Sequence, residues 1–286
     1  MAVALGLETE ALAMVASRDQ FRQDLDESLR AAMAAHKIDY LPGSVELGDF
    51  DATSTTIALA PGGEQCRLPQ PALDNTFERY WQHFVERRDG KRQWKDYTPY
   101  EWRNVSAFVR LGWRARVWEA TEFFFKDRAP PAWNQWAEVV SSTPRQPFFV
   151  GDLPHAWVAS DFVRSALDMF AYERDVDGPI VLAAGVPASW LAGKGIAIED
   201  LNTSHGMLSY SLQRSDKQLT LQVSEGLRLP AAGLLLQWPY EGTPGEATIN
   251  GEPAQWLGNE LHIGSLPAKV EIDIPAELRR SERSRR

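Results

Sequence analysis

The residues best suited to chemistry lie between positions 132 and 170, AWNQWAEVVSSTPRQPFFVGDLPHAWVASDFVRSALDMF. Glu138 stands beside Trp133 and Trp136, and a loop carrying Pro144, Pro147 and Pro154 follows before a helix begins near His155. Indole faces stack on the C–H faces of a pyranose. A carboxyl group held against apolar rings can have its proton affinity set for acid or base work. The pattern therefore suits sugar chemistry, although the same residues also fit two core indoles and a solvated glutamate. WAEVV could equally continue a helix with Glu138 facing water.

Further candidates precede this stretch. The segment 94–103 gathers Trp94, Asp96, Tyr97, Tyr100, Glu101, Trp102 and Arg103 at the N-terminal mouth of a helix, where free N–H groups favour anionic or hydroxyl-rich ligands. Glu46, Asp49 and Asp51 crowd a loop as caps or site residues, and Asp51 or Thr53 can cap the helix holding Thr56, Ile57 and Leu59. These carboxylates lack the regular spacing and closing Glu of a calcium loop, and His36 has no second His or Cys at metal spacing. Neither a metal nor a cofactor is expected.

The elements that must position these groups follow from period and punctuation. A chain of 286 residues has room for two cores. Residues 1–16 read as the end of one helix. A second starts at the Ser17/Gln20 capping box and stops before Pro42-Gly43. A third starts at Pro71 and stops at Gly90, and a long helix carries Phe108, Leu111, Ala115 and Trp118 on one face. The last, with Val158, Phe162, Ala166 and Met169 in pattern, fades near Gly178. The period then changes to two, as in Leu208, Tyr210, Leu212 and Leu219, Leu221, Val223, and Asn250-Gly251 reads as a hairpin turn. The expected domains are thus a helical one over 1–178, an antiparallel strand module over 179–278 packed against it, and a disordered basic tail over 279–286.

Composition narrows the partners. A net charge of −9 with scattered basic residues argues against a nucleic-acid surface. No apolar run approaches the roughly 20 residues of a membrane span, and no targeting signal is recognised, so cytoplasmic is the default expectation. Of the 11 Trp, seven fall between positions 81 and 136.

The TPYEWRNV segment, the order WNQWAEVV then HAWVASDFVRSALDMF, and the terminal strands resemble the C-terminal half of the bacterial six-hairpin glycosidases. That resemblance implies a partial (α/α)6 toroid followed by a small antiparallel β-sandwich-like domain, and an inverting glycoside hydrolase with a carbohydrate substrate. It makes Glu138 the general base, with Trp157 on the following helix. It gives Tyr100, Trp102 and Arg103 a sugar-contact role, with Glu101, Trp133, Trp136, His155, Asp49 and Asp51 as further substrate-binding candidates. A full toroid needs about twelve helices, and about half are present. The reading therefore places the general acid upstream of Met1, with Asp49, Asp51 or Glu101 as substitutes within the chain. It also expects apolar flanks that an upstream half-toroid or a second copy would cover. A non-catalytic carbohydrate-binding or scaffold protein is the alternative. A phosphorylase would need a phosphate pocket, for which only Arg103, Arg145 and His155 are at hand.

Overall fold

The computed structural model describes residues 2–143, 149–174 and 178–283. The fold is a mixed α+β one, with seven α-helices and two large sheets among the described residues. It divides into two compact units, 1–94 and 95–286. This division does not coincide with the change from helices to strands near residue 170, because the last three helices before that change share a unit with the strands.

In the first unit, α1 (Glu8–His36) is one continuous helix rather than two. Nothing between Glu8 and His36 is Gly or Pro, so the Ser17/Gln20 pair sits inside a run of good helix formers and does not open a new element. The helix closes on Lys37 at φ 55°, with the Ile38 N–H donating to the Met33 carbonyl over 3.1 Å. Helices α2 (Ala52–Leu59) and α3 (Ala72–Arg88) follow. Leu59, Leu73, Phe77 and Phe84 form the centre of this unit's core.

The second unit opens with β1 (Asp96–Tyr97) and a 3₁₀ turn over Pro99–Glu101. The long helix expected after it is divided into α4 (Trp102–Arg110) and α5 (Arg114–Lys126). Gly112 takes φ +76° between them, a left-handed conformation that Gly adopts without penalty. After β2 (Val140–Ser141) comes α6 (Ala156–Phe170), whose N-cap position is His155. Arg103 Nε donates to Asp161 Oδ2 over 2.8 Å, and Arg110 Nη1 to Asp168 Oδ2 over 2.7 Å. Ser106 and Ser165 hydroxyls lie 3.1 Å apart between these pairs. The partners rise together along both helices, so α4 and α6 run parallel, zipped by buried polar groups.

The strands are β3 (Ala171–Glu173), β4 (Ile180–Leu182), β5 (Ile196–Thr203), β6 (Gly206–Arg214), β7 (Gln218–Val223) and β8 (Leu234–Gln237). They continue as β9 (Ala247–Ile249), β10 (Glu252–Ala254), β11 (Trp256–Leu257), β12 (Glu260–Ile263) and β13 (Ala268–Asp273). One sheet has the order β10-β9-β13-β7-β6-β5 and the other β11-β12-β8-β4-β3, and the β1–β2 pair stands apart. All neighbours are antiparallel except β4 and β8. Asn250 and Gly251, at φ 52° and 86°, make the turn between β9 and β10 as expected. Residues of both large sheets, among them Leu182, Leu212, Leu221, Leu236, Ile263 and Val270, share one apolar core.

This strand assembly is bound tightly to α4–α6. The Ala183 N–H donates to the Phe170 carbonyl over 2.7 Å, and the Tyr210 hydroxyl donates to the same carbonyl over 2.6 Å. Arg114 Nη1 donates to the Ala183 and Val186 carbonyls, each at 2.6 Å. Burial lowers the Arg114 guanidinium to about 10, so it stays cationic at neutral pH beneath the strands. The tail expected to be disordered is helical as α7 (Ala276–Arg283), and residues 284–286 lie outside the described ones. Among the described residues no helix is long and apolar enough to cross a membrane.

Candidate functional site

Glu138 is not helical. Pro131–Trp133 forms a single 3₁₀ turn that ends at Asn134, φ 51°, and Glu138 falls in a bend just before β2. The Trp136 indole Nε1 donates to the Phe124 carbonyl over 2.8 Å, which pins this segment to the end of α5. From there residues 136–139 lie alongside 150–155. The Val139 N–H donates to the Val150 carbonyl (3.1 Å), the Glu138 N–H to the Asp152 carbonyl (3.0 Å) and the His155 N–H to the Trp136 carbonyl (3.1 Å). Glu138 is thereby set opposite Asp152 at the head of α6.

The β1–β2 pairing brings in the other side. Tyr97 opposes Val140, so Tyr100, three residues after the first, is carried to the neighbourhood of Glu138, two before the second. Tyr100 Oη lies 2.6 Å from His155 Nε2. One oxygen each of Glu138 and Asp152 and one ring nitrogen of His155 lie within 4.8 Å of one another. Gly151, at φ +64°, closes the cluster, because a Cβ there would stand 2.7 Å from Glu138 Cβ.

The ring of Trp157 lies 6.0 Å from that of Tyr100 and 6.4 Å from that of His155, and the residue is 67% exposed. It offers an indole face to solvent at the edge of the cluster. The Arg103 guanidinium sits 4.8 Å over the Tyr100 ring while pairing with Asp161. Burial raises the Tyr100 phenol above its ordinary value, and the Glu138 charge adds to this against the opposing effect of Arg103. Burial likewise raises the Asp161 carboxyl, outweighing its pairing with Arg103.

The other anticipated residues are dispersed. Trp102 and Trp136 are each 1% exposed and pack against Phe124, Phe125 and Phe162. With no free face they belong to a buried aromatic cluster, where stacking on a sugar would need them at the surface. Trp133 is 59% exposed on the 3₁₀ turn. Glu101 is half-buried in the turn before α4, its carbonyl accepting from Asn104 Nδ2. Asp49 and Asp51 belong to the first unit and serve local structure. Asp49 Oδ1 accepts from the Ser44 N–H (2.9 Å), and Asp51 Oδ1 caps α2 by accepting from the Ser54 N–H (2.9 Å). Arg145 lies outside the described residues.

Asp152 is the member that sequence reasoning missed as a site residue, since no residue pattern singles it out in GDLPH. The only hint was its placement in the turn before His155. No protein-family model, no curated protein and no solved structure matches this chain.

Proposed function

We propose that this protein hydrolyses O-glycosyl bonds of a carbohydrate, with Glu138 as the base that takes a proton from water as the water oxygen attacks the anomeric carbon. The observation carrying this reading is the convergence of Glu138, Tyr100 and His155 beside the exposed face of Trp157. Hydroxyl-rich ligands need acceptors and donors at the rim of an aromatic platform, and this cluster supplies both. The parallel run of α4 and α6, with α5 between them in the chain, supports the helical-hairpin ring of the six-hairpin glycosidases, with the shared-core sheets as its sandwich-like companion.

Inverting chemistry asks for roughly 6.5–9.5 Å between its two carboxyl groups, to leave room for water. Asp152, with an oxygen within 4.8 Å of Glu138, is too near to be that partner, so the proton for the leaving oxygen comes from a different group. The exposed Trp157 also favours a second reading, glycan binding without turnover. A panel of aryl glycosides and oligosaccharides separates the two. In the hydrolase reading Glu138→Gln removes nearly all turnover while leaving glycan affinity within a few fold, and Trp157→Ala weakens affinity. Glycan binding with no turnover by the unaltered chain leaves the binding reading standing and overturns the hydrolase.

A further inference from the structure

We propose that Glu138, Asp152 and His155 form a divalent transition-metal site, of the kind that takes zinc or manganese. Three observations converge. First, the ligand atoms of these side chains already lie within 4.8 Å of one another, although the first two are 14 positions apart in sequence. Second, neither carboxyl group has a Lys or Arg ion pair among the described residues, and the basic group beside Asp152 is the His155 imidazole, itself a metal-ligating side chain. Carboxylates crowded in this way repel each other unless a cation lies between them.

Third, the imidazole is aimed. His155 Nε2 is engaged by Tyr100 Oη at 2.6 Å, which directs Nδ1 towards Asp152 Oδ2, 3.7 Å away. That separation is too long for a hydrogen bond. It is close to what one ion imposes, because two ligands at about 2.1 Å in tetrahedral array stand about 3.4 Å apart. A histidine that ligates through one nitrogen and donates the other N–H to a fixed oxygen is the usual outer arrangement of protein metal centres, and Tyr100 supplies that oxygen. The His155 side chain is 11% exposed and so held in place, whereas Asp152 is 83% exposed and free to rotate inward as the ion arrives. The nitrogen ligand selects against calcium, which prefers an all-oxygen shell.

The inference goes beyond the hydrolase reading and does not rest on it. The two meet at one side chain, because a Glu138 carboxylate bound to an ion is a far weaker base, so zinc should inhibit any turnover that uses Glu138 as base. Isothermal titration of the full chain with zinc chloride is the test, followed by titration of the Asp152→Asn and His155→Gln variants. One zinc per chain is expected, at least about tenfold weaker in either variant, with calcium weaker than zinc. Asp152→Asn alters an exposed side chain, so its fold is checked by its unfolding temperature. No binding at millimolar zinc, unchanged affinity in both variants, or calcium preferred over zinc overturns the proposal. Zinc binding in a protein that cleaves no glycoside supports the site and counts only against the hydrolase.

Discussion

Tyr100 and His155 are 55 positions apart in the chain, yet the phenol oxygen and the imidazole Nε2 meet at 2.6 Å. The contact ties the turn before α4 to the N-cap of α6 and fixes which ring nitrogen faces the two carboxylates. Tyr100→Phe keeps the ring packing on Trp157 and removes only the hydroxyl. Zinc affinity should fall about 10- to 100-fold, as for loss of an outer-shell partner, with little change in unfolding temperature. Titration of the variant reads this directly.

The Arg110–Asp168 pair is buried between α4 and α6, at 7% and 11% side-chain exposure. Burial raises the Asp168 carboxyl above its ordinary value, with Arg110 opposing. Removing one partner strands a buried charge, so Arg110→Ala should destabilise the chain by about 3–5 kcal/mol. Replacing both, as Arg110→Met with Asp168→Leu, should recover most of that loss. Denaturant unfolding of the single and double variants measures both effects.

Glu260 carries a pH dependence of definite sign. Burial pushes its carboxyl up, but hydrogen bonds from Arg174 and Gln237, with the Arg174 charge, outweigh this and hold it below the usual value. Arg174 grips both its oxygens, with Nη1 donating to Oε2 over 3.0 Å and Nη2 to Oε1. A depressed folded value means the stabilisation is present above the unfolded carboxylate value, about 4.3, and is lost as pH falls through the folded one. Wild type should therefore exceed Glu260→Gln in unfolding temperature from neutral pH down to about pH 5, and the gap should close in stronger acid. A gap that persists unchanged at about pH 2 would contradict this account.

Asp51 caps α2 through the Ser54 N–H and also accepts from the Ser54 hydroxyl at 2.6 Å. Asp51→Ala should cost about 1 kcal/mol, the typical value for a lost N-cap, and leave glycan binding unchanged. Thermal unfolding and a binding titration together distinguish a cap from a ligand contact.

The local order of elements was legible in the sequence because it depends on neighbouring residues. Period-two runs marked β6 and β7, Asn250-Gly251 marked the hairpin between β9 and β10, and Pro71 marked the start of α3. Glu138 was legible as a candidate from its carboxylate and the indoles around it. What those indoles do was decided only by packing. Spacing cannot tell a Trp that faces solvent from one closed in by rings, so Trp102 and Trp136 are buried among aromatics while Trp157 stands exposed at the edge of the cluster. Asp152 joined the cluster because main-chain hydrogen bonds lay 136–139 against 150–155, a pairing between separate segments that no short-range pattern encodes. The same holds for the parallel seating of α4 on α6. Its polar partners lie 58 or 59 residues apart and look like solvated helix faces until the two helices meet. Helices, turns and hairpins follow from near-neighbour chemistry, whereas a site is set by which distant segments share buried surface, and only the folded chain settles that.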